Sequence, residues 1–90
     1  DEALRLGIVN CVVAPEHLAA ETLNLARSLA QGPQIALGLM KRNLNCAESG
    51  GLNELLDMEA DHMVRTVRTE DHREAARAFV EKRPPVFVGR

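Results

Sequence analysis

Ninety residues make one small domain, long enough for a core of three to four helices but with a thin margin of stability. A net charge of −2 gives non-specific nucleic-acid binding no electrostatic support, and no apolar run approaches the roughly eighteen residues that a membrane span needs. The apolar content comes from Leu, Ala and Val, with no Trp or Tyr, and Ala is a strong helix former, so a mainly α chain is expected.

The chain opens on Asp1 rather than on methionine, and a piece of something longer is expected from that. Asp1 to Gly7 reads as the end of a helix with Gly7 closing it. Ile8-Val9-Asn10-Cys11-Val12-Val13 is a β-branched run with strand propensity, too short and solitary to make a sheet, so it needs a partner or stays extended. Pro15 suits a first helical position, and Leu18, Thr22, Leu25, Ala26 and Leu29 then recur on one face of a helix that Ala19, Leu23 and Ala30 widen. Gln31-Gly32-Pro33 stops that helix and starts another over Ile35 to Ala47, with Ala36, Met40, Leu44 and Ala47 on one face.

Ser49-Gly50-Gly51 is a turn, and the spacing predicts a third helix over Leu52 to Val67. Its inner face is expected to hold Leu52, Leu55, Leu56, Met63 and Val67, with Glu59 among them. Thr69 is a good N-cap for a fourth helix, Glu70 and Asp71 suit its dipole, and Ala75, Ala76 and Phe79 form an apolar strip. Lys82 and Arg83 are expected on its last turn, because Pro84 lacks an amide hydrogen and forces Arg83 out of helical geometry. An extended tail follows. Phe79 and Phe87, the only aromatics, are expected to anchor against something apolar.

Cys11 and Cys46 lack metal-ligand spacing and are read as buried free thiols, which fits a reducing compartment and a cytoplasmic protein. Glu59 and His62 make a Glu-x-x-His pair, which places both side chains on one side of a helix as carboxylate-bridged metal bundles require. Those bundles need the pair twice, and here it occurs once, so a Glu59 paired with an arginine and a solvated His62 is the plainer reading. Glu59 could also serve as an acid or base with a raised pKa, although no second catalytic group stands near it. His17 and His72 read as surface histidines. Lys82 and Arg83 either complement the helix dipole or contact an anion.

Four segments in order then resemble a known family. Leu6 to Val13, Gly32-Pro33 opening a helix with Met40-Lys41-Arg42, Thr69-Glu70-Asp71, and Ala78-Phe79-Val80-Glu81-Lys82-Arg83-Pro84 with Phe87 are similar to the carboxyl-terminal third of enoyl-CoA hydratase/isomerase (crotonase) superfamily proteins. The resemblance implies an upstream core that binds acyl-CoA and supplies the oxyanion-hole amides and catalytic carboxylates. This chain would be the helical trimerisation and lid domain, residues 1–13 being the tail end of that core. It would assemble as a homotrimer or hexamer, take no cofactor beyond the coenzyme A thioester that is the substrate, and be inactive alone. Lys82 resembles a basic position near the CoA phosphates or adenine of an adjacent subunit, with Arg83 beside it. Met63 stands where hydratases often carry Phe along the same pocket. Glu59 matches no catalytic carboxylate of the family.

Overall fold

A computed structural model describes residues Asp1–Arg90, and the chain is all-α. Five α-helices occur: α1 (Glu2–Arg5), α2 (Leu18–Ala30), α3 (Gln34–Ser49), α4 (Leu52–Val67) and α5 (Glu70–Glu81), with a 3-10 turn at Pro15–His17. Four of them are long, at the upper end of the expected three to four, and α1 is a single turn. They fall into two compact units, Asp1–Ala30 and Gln31–Arg90.

In the first unit α1 closes as its sequence dictates. Gly7 takes φ 72°, its amide donates to the Leu4 carbonyl at 3.1 Å, and the Ile8 amide reaches back to the Ala3 carbonyl at 2.8 Å. That pair of bonds needs a left-handed residue between helix and loop, which glycine adopts without cost. Ile8 to Val13 forms no strand, because an isolated edge has no ladder to complete. Pro15 begins the 3-10 turn, where its missing amide costs nothing, and α2 follows. No residue of α2 is buried: Leu18, Leu25 and Leu29 are each more than half exposed. With Val9, Cys11 and Val12 on the extended segment, Leu18 and Leu25 line an apolar groove of about 760 Å³. Cys11 is a free thiol but an exposed one, contrary to the expected burial.

In the second unit Gly50 and Gly51 turn the chain so that α4 folds back on α3. Gly50 has little choice of side chain, since a Cβ there would lie 2.8 Å from both the carbonyl oxygen and the Sγ of Cys46. The contact faces coincide with those expected at Ala36 and Leu55 and differ elsewhere. Met40, Leu44, Leu52, Leu56 and Met63 are more than half exposed, whereas Leu39 is 5% exposed and His62 8%. The face that α3 buries therefore runs through Ala36, Leu39, Asn43 and Cys46, and that of α4 through Leu55, Met58, His62 and Thr66. These residues also keep helical spacing. The wider apolar stripes lie beside them, uncovered.

Thr69 caps α5 as expected, its hydroxyl oxygen accepting from the His72 amide at 3.0 Å and donating to the Thr66 carbonyl at 2.8 Å. The helix ends at Glu81, two residues short of the limit that Pro84 imposes at Arg83. Lys82 adopts the left-handed conformation, φ 54° and ψ 40°, so that its amide and that of Arg83 return to the Phe79 and Ala78 carbonyls. The buried residues of α5 are Asp71 and Ala78, and Phe79 points away at 84% exposure. Phe87 does anchor: half-buried, it sits with Pro33, Ile35, Thr66 and Ala75 in a small cavity of about 190 Å³.

Candidate functional site

The side chains singled out from the sequence stand on two features of the second unit, the turn after α5 and a pocket between α3 and α4. At the turn, Lys82 is exposed, its ammonium makes no ion pair, and its backbone is left-handed. Arg83 is fully engaged. Its Nη1 and Nη2 grip both Glu74 oxygens at 2.5 and 3.0 Å, its Nε reaches Glu81 at 2.6 Å, and its Nη1 also donates to the Pro84 carbonyl. This fork holds the Glu74 carboxyl well below the usual carboxylate range, at about 2, with the Val86 amide as the second cause.

Arg83 thus fixes the direction in which the chain leaves the helix. The tail Pro84 to Arg90 returns along α5, read off by carboxylates. The Glu74 Oε1 accepts from the Val86 amide at 3.0 Å, and Asp71 accepts from the Val88 amide at 2.7 Å and the Gly89 amide at 3.1 Å. The Arg90 carbonyl in turn accepts from the Glu70 and Asp71 amides, which α5 leaves unpaired at its start. Asp71 and Glu74 are the residues that the sequence reading missed. Asp71 reads there only as a dipole charge, and the signal that could have found its role is the acidic pair at i, i+3 followed by a Pro84-Pro85 tail that must run extended.

Between α3 and α4, Met63 lines a pocket of about 180 Å³ with Leu39, Met40, Asn43, Glu59 and His62. His62 is buried rather than solvated, its Nδ1 2.5 Å from Asn43 Oδ1 across the helix interface. A buried imidazole needs such a partner, and Asn43 supplies it from the facing helix. Glu59 is exposed and forms no ion pair, so the expected arginine partner is absent. His, Cys, Asp and Glu are nowhere gathered in groups of three or more that could hold a metal ion. Met63 and the pair Lys82 and Arg83 stand on different elements, and the structure does not join them in one cavity.

All ninety residues match the family described as enoyl-CoA hydratase/isomerase. The chain belongs to that family. Among relatives of this enoyl-CoA hydratase/isomerase chain, the 1,2-epoxyphenylacetyl-CoA isomerase of Escherichia coli K12 is 40% identical over the whole chain and 34% of its own length. The crotonyl-CoA hydratase of Syntrophomonas wolfei is 34% identical over the whole chain and 35% of its own length. In the solved structure of an enoyl-CoA hydratase subunit from Geobacillus kaustophilus HTA426, 99% of the chain superposes with a TM-score of 0.90 at 43% identity, covering 35% of that protein. The chain therefore spans about a third of the length of the relatives it matches. No helix in it is long and apolar enough to cross a membrane.

Proposed function

We propose that the chain is the assembly and active-site-capping module of an enoyl-CoA hydratase/isomerase family enzyme that acts on acyl-CoA thioesters. One observation carries this reading. Only Leu39 and Ala78 are buried apolar residues, while Phe79, Val80, Leu52 and Leu44 are each about 70% exposed or more. Apolar surface on that scale, kept in continuous helical stripes, is a docking surface. The partner proposed for it is the rest of a family member, which relatives about three times as long contain, in a homotrimer or hexamer.

Lys82 is the residue proposed to meet the CoA phosphates or adenine. Its side chain is unpaired, and its left-handed backbone is a conformation that most residues pay to adopt. Arg83 is proposed to set that turn rather than to spend its own charge on the ligand, and Met63 to line the acyl side. No cofactor beyond the thioester itself is proposed. The test is hydration of a short 2-enoyl-CoA by the 90-residue chain alone and by a family member in which the chain replaces the matching third. The expected result is no turnover alone and turnover in the hybrid; turnover by the chain alone would sink the reading.

A further inference from the structure

Four charged residues along one stripe of α5 share an unbalanced cleft. Glu70, Arg73, Glu74 and Arg77 follow at i, i+3, i+4 and i+7, so they lie on one side of the helix. With Val86 and Val88 of the returning tail they line a cleft of about 420 Å³. Both acids are already committed, Glu70 to Arg90 at 3.1 Å and Glu74 to the fork of Arg83. Arg73 and Arg77 are exposed and neither makes a direct ion pair; Arg77 acts on Glu74 only weakly and from a distance, Arg83 being the main partner of that carboxylate.

We propose that this cleft binds a small phosphate-bearing ligand, its oxygens held by Arg73 and Arg77 and its apolar part resting on Val86 and Val88. Guanidinium groups one helical turn apart stand about 5–6 Å from each other at Cβ, close enough for both forks to reach one phosphate or two linked ones. A cation finds no free carboxylate there, and a wholly apolar ligand would leave both guanidinium groups unsatisfied. The cleft volume lies within the range of small-molecule sites. Lys82 does not line it, so the site is separate from the proposed CoA contact and stands whether or not that contact exists.

Titration of the isotope-labelled protein with inorganic pyrophosphate and with phenyl phosphate, at about 50 mM salt where screening is modest, tests the site. Saturable shifts are expected at Arg73, Arg77, Val86 and Val88. The double substitution Arg73→Ala with Arg77→Ala should weaken binding at least about tenfold, equivalent to about 1.4 kcal/mol. Lysine at both positions should also weaken it, because the charge stays and the fork is lost. Lys82→Ala should bind as the parent does. Since both arginines are exposed and neither makes a direct ion pair, melting of the alanine variant should match the parent and confirm an intact fold. Absence of saturable shifts up to about 10 mM ligand, or undiminished binding by the folded alanine variant, would overturn the proposal.

Discussion

Lys82 occupies a backbone conformation in which a Cβ crowds the following carbonyl. Lys82→Gly should therefore raise stability by about 0.5–1 kcal/mol in a urea titration; no gain would show that the turn carries no strain. Phe79 behaves in the opposite way from a core aromatic. At 84% exposure, Phe79→Ala should cost less than about 0.5 kcal/mol in the 90-residue chain, against several for a buried ring. Asp71 is 2% exposed and accepts two tail amides, so Asp71→Ala leaves those donors orphaned and should cost about 1–3 kcal/mol. Glu74 adds a pH dependence. Its pKa lies near 2 instead of 4.5, so the ionised form is the one the fold favours. The stability it contributes is present above about pH 4.5 and is lost as the pH falls toward about 2. The Val86 amide resonance should titrate with its midpoint near pH 2, and Glu74→Gln should abolish the movement.

At the scale of elements, boundaries were legible where the chain carries its own stop signals. Gly7, the Gly50-Gly51 turn and the Thr69 cap stand where their chemistry requires, and α4 spans Leu52–Val67 as its spacing predicts. The faces were legible only in part, at Ala36 and Leu55. Helical periodicity finds the most apolar stripe, and here that stripe is uncovered, while the intrachain contacts use smaller and more polar residues such as Asn43 and His62. A double-substitution cycle on Asn43→Ala and His62→Ala should return a coupling of about 1 kcal/mol, and strict additivity would remove the pair from the α3–α4 interface. The end of α5 was misjudged for another reason. Proline sets only an outer limit, and the left-handed Lys82 ends the helix before it.

Across the whole molecule, the family was legible because it rests on short segments in order, whereas the tail clasp was hidden because it depends on main-chain amides that any sequence presents. The surplus of exposed apolar side chains is the feature that a self-sufficient 90-residue domain should not have. Hydrogen–deuterium exchange of α3 to α5, in the chain alone and in the hybrid with the rest of a family member, tests directly whether those stripes are a docking surface. Measurable but modest protection is expected along the three helices in the isolated chain, and protection raised by orders of magnitude in the hybrid. Equal protection in both would contradict it, because the apolar stripes would then be covering nothing.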